Sequence, residues 1–123
     1  MESVILDTNI LIEILKGDAP TIQKVESFGC ELCISSITAM ELYYGARNKA
    51  EVKKLEKFIS LFTLIYPNET VSKKAMALVK EYAKSHSLDI PDSIIAATTH
   101  VQQAALFTYN QKDFRFIEGL ILV

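Results

Sequence analysis

The sequence lacks a long apolar run: nothing in it approaches the roughly 20 residues that a membrane-crossing helix needs, which excludes a membrane as its partner. It lacks an excess of positive charge, with 13 Lys and Arg against 15 Asp and Glu, a net charge of −2 and a pI near 5.7. Binding along a nucleic-acid backbone is mostly electrostatic, so this balance argues against a surface that grips a polyanion by charge alone. It leaves room for an acidic cluster that gathers divalent ions, because such acids lower the pI and the ions reverse the local field. The start, Met1-Glu2-Ser3, has no basic stretch and does not read as a signal peptide, so the expected location is the cytosol. Cysteine is scarce. Cys30 and Cys33 form one C-x-x-C pair with no second pair to complete a zinc site. The pair leads into an apolar strand pattern, where positions three apart face opposite sides, and reads as small hydrophobes in a reducing compartment. Asn68-Glu69-Thr70 matches a glycosylation acceptor, which has no meaning in the cytosol. There is no internal repeat, low-complexity stretch or linker, so residues 1–123 read as one domain.

What is present is an ordinary globular composition, 50% hydrophobic and 23% charged, patterned as strands alternating with helices. Val4-Ile5-Leu6 reads as a buried strand that stops at Asp7. A helix over 9–15 follows, with Asn9 as a candidate cap and Gly17 placed for its C-terminal end. Pro20 starts a second helix to about Phe28. Leu32-Cys33-Ile34 is the second strand, and Ser35-Ser36 caps a helix over 37–47 that carries Glu41. A helix over 49–62 and a strand at Leu64-Ile65-Tyr66 come next. A long helix spans 69–85, and Pro91 and Asp92 open another that ends near Gln103. Ala105 to Thr108 is a fourth strand, 110–116 a turn, and Leu120 to Val123 a short last strand. Such alternation predicts an α/β domain with a parallel sheet covered on both faces.

Four acids lie at strand ends or helix starts: Asp7, Glu41, Asp92 and Asp113. Each has a structural reading of its own. Asp7 can cap the helix after it. Glu41 can close a capping box with Thr38 or face solvent. Asp92 follows a proline in a first turn, which is normal helix-start grammar. Asp113 sits in a turn. Taken together they occupy positions that a parallel sheet gathers on one edge, the edge where open α/β sheets bind ligands. Carboxylates so gathered do not all ionise without cations. Hard oxygen donors suit magnesium or manganese, and no soft-ligand set for zinc accompanies them.

The stretches around these acids are Leu6-Asp7-Thr8-Asn9, Ser35-Ser36-Ile37-Thr38-Ala39-Met40-Glu41-Leu42 with Gly45, Ile90-Pro91-Asp92-Ser93-Ile94-Ile95-Ala96-Ala97-Thr98, and Thr108-Tyr109-Asn110-Gln111-Lys112-Asp113-Phe114. In this order and spacing the chain resembles, over essentially its whole length, the PIN-domain family and within it the VapC-like toxins of toxin–antitoxin pairs. The resemblance implies a three-layer α/β/α sandwich with a central parallel sheet of about four to five strands. It implies an endoribonuclease using Mg2+ or Mn2+, with metal-activated water held by Asp7, Glu41, Asp92 and Asp113. Asp113 matches the acid that often stands further from the metal. Thr8 and Asn110 match polar positions that orient substrate or water. Ser87 stands where a glycine is frequent, with no functional consequence expected.

Arg47, Lys49, Lys112 and Arg115 flank the expected pocket and are candidates for RNA backbone contacts, or else solvated surface. No aromatic-basic interleaving marks a base-reading surface. Tyr43, Tyr44, Phe58 and Phe62 are candidates for a dimer face or a groove receiving a partner segment, with core packing as the plainer reading. The resemblance also implies a homodimer and a VapB-like antitoxin. Two other classes stand beside the nuclease. One is a non-catalytic PIN module that binds RNA or protein. The other is a phosphoryl-transfer enzyme with Asp7 as nucleophile, against which the D-x-D arrangement of haloacid-dehalogenase-like phosphatases is absent, since Thr8-Asn9 follows.

Overall fold

The computed structural model describes residues 2–123. Four strands, β1 (Ser3–Leu6), β2 (Glu31–Ser35), β3 (Thr63–Ile65) and β4 (Ala105–Phe107), form one parallel sheet in the order β3-β2-β1-β4. Six helices surround it among the described residues: α1 (Thr8–Leu15), α2 (Ala19–Ser27), α3 (Ser36–Tyr44), α4 (Lys49–Ile59), α5 (Glu69–His86) and α6 (Ile90–Val101). A 3₁₀ turn, Gln111–Asp113, follows β4.

The alternation along β1 builds two cores. Val4 and Leu6 point to one face and pack with Ile10, Leu11, Val25, Ile34, Leu42 and Ile59 from α1 to α4 and β2. Ile5 points to the other, against Val71, Leu78, Ile95, Ala96 and Phe114 from α5, α6 and the C-terminal turn. Val4, Ile5 and Leu6 are fully buried, each contributing roughly 1.5–3 kcal/mol of apolar transfer. A charge at Ile5 would have no partner and would break the sandwich at its centre. This is the α/β/α sandwich that the alternation predicted.

The strand order fixes where a site can lie. From β1 the chain moves to β2 and β3 on one side, then crosses to β4 on the other. The crevice of such a sheet opens where the order reverses, outside the carboxyl ends of β1 and β4. In register, Leu6 is paired with Phe107, so Asp7 and Thr108 step off the sheet side by side.

Three sequence expectations are corrected. The last strand over 120–123 reduces to a single bridge, Leu106 to Leu122, because only one residue reaches ladder geometry. The helix expected to reach Phe62 ends at Ile59, where Ser60 caps it and Leu61 is exposed. Helix α1 begins at Thr8 and not at Asn9, and of the two candidate caps it is Asp7 that serves, its Oδ1 accepting from the Thr8 amide at 2.8 Å. Gly17 does end the α1 region, at φ 80, a conformation that costs a residue with a Cβ. The α5 C-cap, Ser87, adopts φ 57 without being glycine.

Candidate active site

Asp7 is the centre of the crevice and only 5% exposed. Burial raises its carboxyl pKa, the hydrogen bonds from Thr108 and Thr8 pull it back, and the charges of Glu41 and Asp113 push it up again. Its Oδ2 accepts from the Thr108 hydroxyl at 2.7 Å and from Asn9 Nδ2 at 3.2 Å. Thr108 is buried and its single proton has one place to go. The Asn110 amide, at 3.0 Å, and Asn9 Nδ2, at 3.3 Å, both donate to its oxygen, so the hydroxyl proton points at Asp7. With three of about four lone-pair sites used, Asp7 keeps one on Oδ1 for a further ligand.

Glu41 comes from α3, an exposed residue one turn beyond the buried Thr38. Ser35 caps that helix through the Ile37 amide, so the Thr38–Glu41 capping box does not form. The Thr8 hydroxyl instead donates to Glu41 Oε1 at 2.7 Å and lies 3.1 Å from Thr38 Oγ1. Thr8 therefore ties the start of α1 to the side chain of Glu41.

Asp92 lies in the first turn of α6, whose cap is Asp89 at 2.8 Å from the Asp92 amide. Its carboxyl is pushed up to about 7, first by burial and then by Asp89, Asp7, Asp113 and Glu41. Asp113 ends the 3₁₀ turn, half-buried. Among the described residues the Asp92 and Asp113 carboxylates accept no hydrogen bond. Half-buried carboxylates that lack donors have the chemistry of a hard-cation site. No group of three His, Cys, Asp or Glu side chains among the described residues is closed tightly enough to cage an ion as it stands.

A family model described as "PIN domain" matches residues 4–119. The chain belongs to the PIN-domain family. It is VapC-like within that family: ribonuclease VapC1 of Rickettsia felis is 34% identical over 125 residues, covering 95% of this chain and 92% of that protein. A toxin–antitoxin complex from Klebsiella pneumoniae contains a chain of TM-score 0.82 and 32% identity, with 96% of this chain and 95% of that one covered. A DNA-bound VapBC from Salmonella typhimurium gives TM-score 0.86 at 25% identity, covering 100% and 98%.

On this PIN scaffold, Asp7, Glu41, Asp92 and Asp113 act on one another electrostatically, as Asp92 shows most strongly. The polar residues expected beside them divide. Thr8 bonds Glu41, whereas Asn110 contributes through its amide to Thr108. The basic residues divide as well. Arg47 lines a cleft of about 570 Å³ together with Glu41, Ile12, Leu15, Leu42 and Leu55, but its Nε is engaged by Glu51 at 2.9 Å. Lys16 and Lys54 line the same cleft, and Lys49 does not. Lys112 and Arg115 are exposed around the 3₁₀ turn that bears Asp113. Tyr43, Phe58 and Phe62 pack half-buried against the core of Val4 and Leu6, and Tyr44 alone is 94% exposed. Cys30 and Cys33 are free thiols, and burial pushes the Cys33 thiol up to about 12, which makes it an inert packing residue.

Sequence reasoning missed Thr108, Thr38 and Tyr109. A signal for Thr108 exists: it is the first polar residue after its strand, as Asp7 is after β1, and parallel neighbours place such residues together.

Proposed function

We propose that the protein is an endoribonuclease of the VapC toxin type, cleaving RNA phosphodiester bonds with Mg2+ or Mn2+ held by Asp7, Glu41, Asp92 and Asp113. The observation that carries this reading is geometric: the buried Asp7 steps off β1 beside the strand-order reversal of a PIN sheet, held there by Thr108, while its neighbour Thr8 bonds Glu41. A divalent cation bound there supplies a low-pKa water and offsets charge on the phosphate. The donor set fits it: all oxygen, with no thiolate or imidazole among the four.

The chain's own residues do the rest. The hydroxyl of Thr108 and the amide of Asn9 hold the Asp7 carboxyl in one rotamer, and the Thr108 hydrogen bond opposes the rise that burial causes. Thr8 holds Glu41 on the opposite wall. Asp92 and Asp113 carry the lone pairs left unpartnered, and drawing them together on an ion relieves the repulsion that raises Asp92. Without that ion the Asp92 carboxyl is pushed up to about 7, and a bound cation would favour its ionised form. Lys112 and Arg115 beside Asp113, and Arg47 beside Glu41, supply cations for the flanking phosphates.

Its partner is a VapB-like antitoxin, as in the toxin–antitoxin complexes of the relatives. The apolar floor of the 570 Å³ cleft, Ile12, Leu15, Leu42 and Leu55, opens beside Glu41 and suits an apolar helix face. A homodimer and a cytoplasmic location belong to the same reading. Among the described residues no helix is long and apolar enough to cross a membrane.

The test is cleavage of a structured RNA by the purified, antitoxin-free protein in Mg2+ or Mn2+, with EDTA and Asp7→Asn as controls. Cutting that both controls abolish is the expected result. No cutting of several RNAs by metal-loaded protein would overturn it and leave the non-catalytic module that binds without turnover.

A further inference from the structure

Tyr109 stands on the rim of the acidic crevice and has no part in the chemistry above. The residue is 51% exposed, yet its side chain is held by neighbours. The hydroxyl lies 2.6 Å from Thr21 Oγ1. Thr21 is fully buried and gives its own proton to Asp18 Oδ2 at 2.6 Å, so Tyr109 is the donor to Thr21. The ring meets the buried Phe107 edge to face, with centroids 5.3 Å apart and planes at 78°. The Tyr109 amide donates to Asn9 Oδ1 at 3.2 Å, and the other end of the same Asn9 side chain donates to Asp7. The residue before it, Thr108, holds Asp7 directly.

An exposed aromatic ordinarily samples several rotamers, and a ligand that stacks on it must freeze them. Here the freezing is already done by Thr21, Phe107 and Asn9, and the open part of the ring stays presented. A cation accompanies it: Lys24 Nζ lies 5.3 Å from the centroid of the same Phe107 ring that Tyr109 touches. Lys112 is exposed three residues further along the chain. A held aromatic surface, with Lys24 over the neighbouring Phe107 ring and a path of two hydrogen bonds through Asn9 to Asp7, has the make-up of a single-strand binding step.

We propose that Tyr109 is a stacking platform for an unpaired RNA base next to the scissile phosphate, with Lys24 toward the backbone of the same strand. This rests on the nuclease reading of the acids. Stacking on a ring face is tolerant of base identity, so the residue selects unpaired over paired RNA and not one sequence over another.

Three variants test it in Mg2+. Tyr109→Ala should raise KM for a single-stranded RNA by about five- to a hundredfold, the range for one lost base–aromatic stack, with kcat little changed. Tyr109→Phe keeps the ring and should stay close to wild type. The chain has no tryptophan, so Tyr109→Trp introduces a sole indole, and short single-stranded RNA should quench its fluorescence in an Asp92→Asn background that stops turnover. A wild-type KM in Tyr109→Ala, equal loss in the Phe and Ala variants, or an unquenched indole under bound RNA would each overturn the stacking role. A wild type that cuts no RNA removes the nuclease reading itself, whereas a cutting wild type with an unaffected Tyr109→Ala removes only the platform.

Discussion

Replacing Thr108 by valine removes one hydroxyl and leaves the side-chain shape. That hydroxyl is the 2.7 Å donor to Asp7, a carboxylate held in a buried setting. A hydrogen bond to a charged group contributes about 1.5–3 kcal/mol, and the added buried methyl returns about 0.8 kcal/mol. The exposed Asn110 amide can turn to water. The net loss is about 1–2 kcal/mol. Unfolding entropy of about 2.1 cal/mol/K per residue over 123 residues is about 0.26 kcal/mol/K, so each kcal/mol lowers Tm by about 4 °C and the expected drop is about 4–8 °C. The loss must depend on pH, because the bond favours the ionised acid. The folded Asp7 pKa is raised above its ordinary value, so Asp7 makes the fold less stable as pH rises through the interval between them. Removing the hydroxyl raises it further and deepens that fall. Thermal unfolding with EDTA should therefore show the valine variant near wild type at pH 4 and clearly below it at pH 8. Thr108→Ser, which keeps the donor and loses a methyl, should show a small deficit equal at both values. An equal deficit for valine at pH 4 and pH 8 would mean lost packing, and the proton assignment at Thr108 would be wrong.

Asp92→Asn should abolish RNA cleavage while raising Tm at pH 8, since it deletes an acid that burial and four neighbouring charges disfavour; at pH 4, where Asp92 is already neutral, the two proteins should melt together. Mg2+ or Mn2+ should raise Tm more at pH 8 than at pH 5, because below about 7 a proton competes for Asp92, and calorimetry should show proton release on binding at the lower pH. Ser87→Gly should stabilise the fold by about 1 kcal/mol with RNA cleavage unchanged, because the αL cap at φ 57 is strained for serine; no gain in denaturant melts would refute that account.

Much of the sandwich is legible because its signals are local. Val4-Ile5-Leu6 and Ala105 to Phe107 are short apolar runs ending in polar residues, and the structure has strands there. Helix α5, expected over 69–85, spans Glu69–His86. The misreadings come from competition that only three dimensions resolve. Asn9 is as good a cap as Asp7 in sequence, but the Asp7 side chain reaches the Thr8 amide, and Asn9 is drawn away to Asp7 and the Tyr109 amide. Leu120 to Val123 has strand composition, yet only Leu122 finds a partner. The same limit applies to the site. The four acids and Thr8 stand out by position, whereas the buried Thr108 that holds Asp7 is marked only by its place after β4, because the Thr108–Asp7 bond spans 101 residues.

That separation has a consequence for the timing of biosynthesis. Chains emerge at about 5–20 residues per second, so roughly 5–20 s pass between the making of Asp7 and of the threonine that holds it. Until β4 docks beside β1, Asp7 lacks its hydroxyl donor, Asp113 does not exist, and the central strand has one open edge. On the ribonuclease reading, a ribosome translating this message is safe from the product in its own tunnel, and an antitoxin made alongside has that interval to arrive. A chain stopped after residue 104 should accordingly neither bind Mn2+ nor cut RNA, however well β1, β2 and β3 associate.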